Sequence, residues 1–73
     1  MKRRKKLYEL LRKKNLSAFK LAKELGYSNE TTVYKWLYGK GSPNALTMLR
    51  LTVILGVSAE EILEIFAEEA TDL

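Results

Sequence analysis

The sequence predicts an all-α fold, a compact single domain of five short helices. Apolar residues recur at helical spacings of three and four positions, as Val33 and Trp36 do. Residues that favour helix starts precede several of these segments, and glycines follow them. A chain of 73 residues suffices for one domain with a small core. The predicted helices cover roughly residues 5–14, 18–25, 30–38, 45–55 and 59–70, after a basic arm over residues 1–6.

The stretch over residues 16–39 organises the chain, because it predicts two short helices joined by a tight turn. Ser17 is the expected cap of the first helix and Asn29 of the second, each through a side-chain oxygen. Gly26 falls just past the first helix, where we expect a positive φ angle. Ala22, four residues earlier, presents only a methyl group to its neighbour. Such a pair leaves the outer face of the second helix free to enter a DNA groove.

An ordered set of residues in and beyond this stretch follows a family pattern. The set comprises Leu21, Ala22, Leu25, Gly26, Ser28, Thr32, Val33, Trp36 and Gly39, and continues through Pro43, Leu49, Leu51, Leu55, Gly56, Val57 and Ser58. It resembles the phage repressor/Cro (XRE-like) type of helix-turn-helix protein over roughly residues 7–66. The resemblance implies a lambda-repressor-like domain that binds DNA, with the loop over residues 39–44 against the DNA backbone.

The sequence departs from this family pattern at three places. Ala18 stands where members often have a glutamine that braces the DNA backbone, so that contact is missing. Leu37 stands where relatives often have a paired acidic residue, so we expect it to pack at the edge of the core. The turn between the two helices is one residue longer than the common spacing. We therefore take Asn29 as the second cap; if Ser28 is the cap instead, every assignment on that helix moves by one residue.

Charge divides the sequence into a basic and an acidic half. Residues 1–40 hold 12 basic and three acidic side chains, a net charge of +9, and residues 41–73 hold one basic and six acidic ones, a net charge of −5. The two halves together give the net charge of +4. A polyanion bound on one side of the molecule fits this asymmetry, and so do solvated helix faces.

Composition excludes several classes of protein. There is no cysteine and no histidine, which excludes disulfides and removes the usual general base and metal ligand. A phosphate-binding glycine-rich loop and a paired-carboxylate site are also absent, so we expect no enzyme, no metal and no small-molecule cofactor. The longest apolar run, residues 53–57, is too short to span a bilayer, and no secretory signal follows Met1. We therefore expect a cytoplasmic protein with no membrane contact.

The second helix of the pair carries the side chains predicted to contact bases. At about 100° per residue, Val33 and Trp36 point inward and the polar side chains point outward. The predicted base-reading residues are Glu30, Thr31, Thr32, Tyr34 and Lys35. Lysine donates to guanine, glutamate accepts from cytosine, and threonine donates, accepts or touches a thymine methyl. Two alternatives stay open: Glu30 acts only on the helix dipole, and Lys35 binds only phosphate.

Other polar and basic side chains are predicted to contact DNA phosphates. They are Ser17, Lys20, Tyr38, Lys40, Ser42 and Asn44. For Ser42 and Asn44, a capping role alone is the alternative. The basic run at the start of the chain suggests an N-terminal arm formed by Lys2, Arg3, Arg4 and Lys5, which would neutralise neighbouring phosphates. An ordinary solubilising terminus is the alternative.

The last two helices are more apolar than the others. Leu46, Leu49 and Val53 predict a broad apolar face on the fourth helix, which we expect to be the central buried one. The fifth helix has four apolar residues that serve as candidates for a dimer contact: Ile62, Leu63, Ile65 and Phe66. The alternative is that all four seal the core of one small domain.

Two functions of different classes follow from these features. The first is a sequence-specific regulator that binds double-stranded DNA, as a homodimer and repressor on an inverted repeat. The second is a protein-interaction module, such as an antitoxin-like or adaptor subunit, that keeps the fold without reading DNA. The coincidence of the helix pair with the basic half favours the first function.

Overall fold

The computed structural model of the protein describes residues 2–72 and contains five helices in this range. The helices are α1 (Lys5–Lys13), α2 (Ala18–Glu24), α3 (Thr31–Leu37), α4 (Ala45–Leu55) and α5 (Ala59–Ala67). Helix α2 packs on α3, α4 packs on α5, and α1 packs on α5. The all-α, five-helix prediction is confirmed.

Side-chain caps define the starts of three helices. The Ser17 hydroxyl oxygen accepts from the Lys20 amide at 3.1 Å, which begins α2. The Asn44 carboxamide oxygen accepts from the Thr47 amide at 2.9 Å, which begins α4. Ser58 accepts in the same way at the start of α5. Each cap satisfies one amide that the helix itself leaves without an acceptor.

The turn between α2 and α3 depends on Gly26. Its φ angle is +82°, in the left-handed region that L side chains rarely adopt. The amide of Tyr27 donates to the Ala22 carbonyl at 2.9 Å, and the amide of Gly26 donates to the Lys23 carbonyl at 3.0 Å. These two bonds form a Schellman motif, which ends α2 and sends the chain towards α3.

The core is apolar and receives side chains from all five helices. Its buried members are Leu7, Leu11, Ala18, Leu21, Ala22, Leu25, Val33, Trp36, Leu37, Leu51, Leu55, Ile62, Ile65 and Phe66. Trp36 makes edge-on ring contacts with Tyr27 at 6.1 Å and with Phe66 at 6.0 Å between centroids. Because these rings come from three different segments, they fix α3 relative to the rest of the domain.

The two ends of the described chain pair with each other. Strand β1 (Lys2–Arg3) runs antiparallel to strand β2 (Thr71–Asp72), with Lys2 opposite Asp72 and Arg3 opposite Thr71. Part of the predicted basic arm over residues 1–6 therefore forms a strand, and Met1 lies outside the described residues. Helix α5 ends at Ala67 rather than near residue 70, because Glu68 is extended and directs the chain into β2.

Helix α4 turns a different face to the core than the sequence predicts. Leu51 and Leu55 are fully buried, whereas Leu46, Leu49 and Val53 are 69%, 58% and 81% exposed. The expectation that the latter three form the buried face is wrong. Helix α4 is apolar on most of its sides, so residue spacing alone does not say which side packs inward.

Three of the four dimer candidates on α5 are core residues. Ile62, Ile65 and Phe66 are buried within the monomer, so they do not form an exposed contact surface. Leu63 is 59% exposed and borders an apolar groove between α4 and α5 together with Leu49. The exposed leucines and valine of these two helices are called the apolar patch below: Leu46, Leu49, Val53 and Leu63.

Candidate nucleic-acid interface

Helix α3 has one buried and one exposed side. Val33, Trp36 and Leu37 are buried and anchor the helix from behind. The exposed side chains on the helix are Thr31, Thr32, Tyr34 and Lys35. The structure thus brings four of the five predicted base-reading residues to one solvent-facing element.

The expected cap of α3, Asn29, lies one position before the N-cap residue of the helix. The Asn29 carboxamide oxygen accepts from the Thr31 amide at 3.0 Å, so Asn29 supplies the side-chain oxygen at this end. The helix begins at Thr31, one residue after the predicted start. Glu30 occupies the cap position, is half-buried, and makes no capping bond through its carboxylate. It therefore lies at the N-terminal tip, the part of a reading helix that reaches deepest into a groove.

The two tyrosines of this region form a stacked pair. The rings of Tyr34 and Tyr38 lie 5.8 Å apart with an interplanar angle of 18°. Together with Thr31, Lys35 and Lys40 they line a shallow hollow on the protein surface. Stacking restricts both hydroxyl groups to a few orientations, and two lysine ammonium groups stand nearby. The hollow offers hydroxyl and ammonium donors, which suit phosphate oxygens and base edges.

The loop after α3 holds three predicted phosphate contacts. Lys40, Ser42 and Asn44 are all exposed. The oxygen of Asn44 is engaged in capping α4, so its NH₂ group is the part that remains for an acceptor outside the protein. Gly39 starts the loop with a φ angle of +77°, and a Cβ atom placed there would lie 2.7 Å from the Cβ atom of Ala70. The loop is thus closely seated against the C-terminal segment.

Ser17 and Lys20, the two predicted phosphate contacts on α2, also lie together. Both are exposed, and both line a hollow that extends to Arg12 and Asn15 of the preceding segment. The Ser17 hydroxyl accepts the Lys20 amide within the protein, which leaves its hydrogen available to an external acceptor.

Arg4 is not part of an arm, contrary to the prediction from the sequence. It is 7% exposed, and its backbone amide donates to the Leu37 carbonyl at 2.7 Å. Its guanidinium donates to the carbonyl oxygens of Trp36 at 2.8 Å, Gly41 at 2.6 Å and Glu68 at 3.2 Å. One side chain thus joins the N-terminal segment to the end of α3, to the following loop and to the C-terminal segment.

Two neighbouring groups, the Glu68 carboxylate and the Phe66 ring, offset the cost of burying the Arg4 charge. Burial lowers the pKa of the guanidinium, and the nearby Glu68 carboxylate opposes this shift. The guanidinium carbon also lies 5.3 Å from the centre of the Phe66 ring. The Glu68 carboxylate accepts from the Lys6 amide at 2.9 Å, which fixes it beside Arg4. No sequence signal separates Arg4 from its basic neighbours, so sequence reasoning did not find this role.

The other residues of the predicted arm are also part of the folded domain. Lys2 and Arg3 form β1, and Lys5 is the first residue of α1. Lys2 and Lys5 are exposed. Arg3 is half-buried, with its guanidinium carbon 5.1 Å from the centre of the Tyr8 ring. These charges are therefore held at defined positions on the surface.

Comparison with known families explains this arrangement. The family model described as helix-turn-helix matches residues 7–62, more than half of the chain and all of α2, the turn and α3. The chain is a Cro/C1-type helix-turn-helix protein. The family is one of DNA-binding transcriptional regulators rather than of enzymes. Neither the curated proteins nor the solved structures contain a significant match to the chain.

Two other kinds of site are absent from the described part of this helix-turn-helix protein: a metal centre and a membrane-spanning helix. Within residues 2–72, no group of three or more acidic, cysteine or histidine side chains is arranged to hold a metal ion. No helix in the same range combines the length and the apolar character needed to cross a membrane. Two features of the described surface stand out: the hydroxyl and lysine side chains around α3, and the apolar patch.

Proposed function

We propose that the protein is a sequence-specific regulator that binds double-stranded DNA by placing α3 in the major groove. The observation that carries this proposal is the division of α3 into two sides. Val33, Trp36 and Leu37 hold its back in the core, while Thr31, Tyr34 and Lys35 face solvent. A groove-reading helix needs this combination of a fixed back and donors and acceptors on its outer side.

The residues around α3 divide into two proposed roles. Glu30, Thr31, Thr32, Tyr34 and Lys35 are the proposed base-reading set. The proposed phosphate contacts are Ser17, Lys20, Tyr38, Lys40, Ser42 and Asn44. Hydrogen bonds to phosphates position a protein on the duplex, and only contacts to base edges carry sequence information. Replacing a base-reading residue should therefore change the preferred DNA sequence, whereas replacing a phosphate contact should weaken binding to all sequences alike.

Selection from a pool of random duplexes tests this proposal. The wild-type protein should recover a defined sequence, and Lys35→Met should relax the preference at one base pair or lower affinity for the selected site. A bidentate or well-aligned base contact is worth about 1–3 kcal/mol of discrimination. The matched control is Lys13→Met, an exposed lysine on α1 that lines a groove with Glu61 and Glu64, where a polyanion would be repelled. Recovery of no preferred sequence by the wild-type protein would contradict specific reading.

We further propose that the protein binds an inverted repeat as a homodimer, and that the apolar patch forms the dimer contact. Leu46, Leu49 and Val53 lie three and four residues apart on α4, so they share one side of that helix. Leu63 of α5 extends the same surface across the groove that Leu49 also lines. Exposed apolar side chains grouped in this way are typical of protein contacts. A two-fold dimer would present two α3 helices to two half-sites about one helical turn apart.

The dimer is tested by sedimentation velocity on the wild-type protein and on Val53→Asp. Since Val53 is 81% exposed, the substitution should leave the fold intact and shift the protein to a monomer. Affinity for the inverted repeat should then fall, while affinity for a single half-site is retained. A wild-type protein that stays monomeric both alone and on the repeat would refute the dimer.

A protein-interaction module is the second candidate function, because the apolar patch would also suit a different protein. In that case Thr31→Ala with Lys35→Ala should leave the partner complex intact, and Val53→Asp should abolish it. We favour the regulator because α3 lies within the basic half of the chain.

A repressor needs only to occupy promoter DNA, so we propose that the protein represses transcription. We also propose that it acts in the cytoplasm, where the promoter DNA lies. Transcription from a promoter that carries the selected site should fall when the protein is present.

A further inference from the structure

Two arginines lie on the ring of one tyrosine beside α3. The guanidinium carbon of Arg3 is 5.1 Å from the centre of the Tyr8 ring, and that of Arg12 is 5.6 Å from the same centre. Arg3 comes from β1 and Arg12 from the last turn of α1, so the two charges converge from separate elements. Tyr8 is half-buried and packs against the core, which gives both guanidinium groups a fixed support.

The hollow next to this pair is continuous with the proposed DNA-reading surface. Its lining includes Arg3, Tyr8 and Arg12 on one side and Tyr34 and Tyr38 of α3 on the other. None of the residues that line it is acidic. Two like charges against the same ring, without a carboxylate in the hollow, produce a positive potential that favours an anion.

Arg12 also borders a second hollow, the one at the start of α2. Arg12 lines both the hollow that contains the α3 tyrosines and the one that contains Ser17 and Lys20. Basic side chains therefore continue from β1 across α1 to α2, along one edge of the helix pair. A DNA strand presents phosphates at regular intervals along its length, which such a track would fit.

We propose that Arg3 and Arg12, supported by Tyr8, form a binding site for a phosphate of the DNA backbone beside the groove that α3 enters. This inference rests on the proposed function and adds a contact outside α2, α3 and the following loop. Guanidinium groups bind phosphate in a planar, two-pronged geometry, which lysine does not provide. Because the ring already restricts the two side chains, less of their freedom is lost on binding.

Equilibrium binding to a short duplex of mixed sequence, measured over a range of salt concentrations, tests the site. The change is Arg12→Met or Arg3→Met, and Lys13→Met is the matched control on α1. Each arginine variant should bind about three to ten times more weakly at low salt and show a shallower salt dependence. In the double variant, the slope of log affinity against log salt should fall by about 0.9, the value for one phosphate. The control should match the wild-type protein in slope.

A second variant separates the supported site from a general loss of charge. Tyr8→Leu keeps the net charge and an apolar group against the core, but it removes the ring under both arginines. We expect weaker binding from this variant, with a thermal melt confirming that it is folded. Wild-type affinity in Tyr8→Leu, or equal slopes for Arg12→Met and Lys13→Met, would overturn the site. Absence of salt-dependent duplex binding by the wild-type protein would instead overturn the proposed function itself.

Discussion

Replacement of Arg4 by methionine should destabilise the protein more than any neighbouring arginine or lysine substitution. Methionine keeps most of the apolar stem but has no donor for the carbonyls of Trp36, Gly41 and Glu68. The bond to Trp36 is fully buried, and the other two are partly accessible to water. The same change also removes the contact with the Phe66 ring.

The size of the effect follows from these contacts. A hydrogen bond from a charged donor contributes about 1.5–3 kcal/mol, and a buried carbonyl left unpaired costs about 1–3 kcal/mol. Release of the guanidinium from a desolvated site offsets part of the loss. We expect a net decrease of about 3 kcal/mol in the free energy of unfolding, chiefly from the buried bond. For a domain of this size that corresponds to a fall in Tm of about 12–24 °C.

Thermal and urea denaturation followed by circular dichroism measure this effect. Arg4→Lys should lie between the wild-type protein and Arg4→Met, because an ammonium keeps the charge but cannot span three carbonyls. The matched control is Arg3→Met, which loses one ring contact worth about 0.5–1 kcal/mol. If Arg4→Met melted within a few degrees of Arg3→Met, the view that Arg4 joins the N-terminal, α3 and C-terminal segments would be wrong.

Three further predictions concern stability alone and are checked by the same denaturation measurements. Gly39→Ala should cost at least about 2 kcal/mol, because its φ is +77° and a Cβ would lie 2.7 Å from the Cβ atom of Ala70. Gly41→Ala is the control: a Cβ there meets nothing within 4 Å, so the change should be nearly neutral. At protein concentrations low enough for the monomer, Leu51→Ala should cost about 2–5 kcal/mol, but Leu49→Ala should stay within about 0.5 kcal/mol. The reverse order would contradict the orientation of α4. Asn29→Ala should cost about 1 kcal/mol through loss of the bond at the start of α3; no change would refute a stabilising role for that bond.

The helix pair was predictable because its signals are local. Ser17 and Asn29 are polar residues at helix starts, and Gly26 stands where a left-handed residue ends α2. Val33 and Trp36 are spaced so that only one side of α3 can be apolar. Such features depend on neighbours a few positions away, and so they can be read without knowing the rest of the fold.

The errors arose where tertiary contacts decide between equivalent local choices. Arg4 stands within a run of five basic residues, and only the carbonyls that converge on it make it different. Strands of two residues are too short to show alternating polar and apolar residues, so the sequence does not predict the pairing of β1 with β2. In α4, Leu49 and Leu51 are equally apolar, and only the packing of the helix in the domain makes Leu51 the buried one. Arg12 was likewise not singled out. Its contact with Tyr8 is local to α1, but the second arginine on that ring, Arg3, comes from a strand that was not expected.

Amide chemical shifts during titration with the selected duplex test whether α3 enters the DNA groove. We expect the largest changes on Thr31, Tyr34 and Lys35, with smaller ones on the loop around Lys40. The amide of Glu64, on α5 in the groove that Lys13 and Glu61 also line, should stay near its original position. Unchanged shifts along α3, together with large changes on another surface, would show that α3 is not the DNA-reading helix.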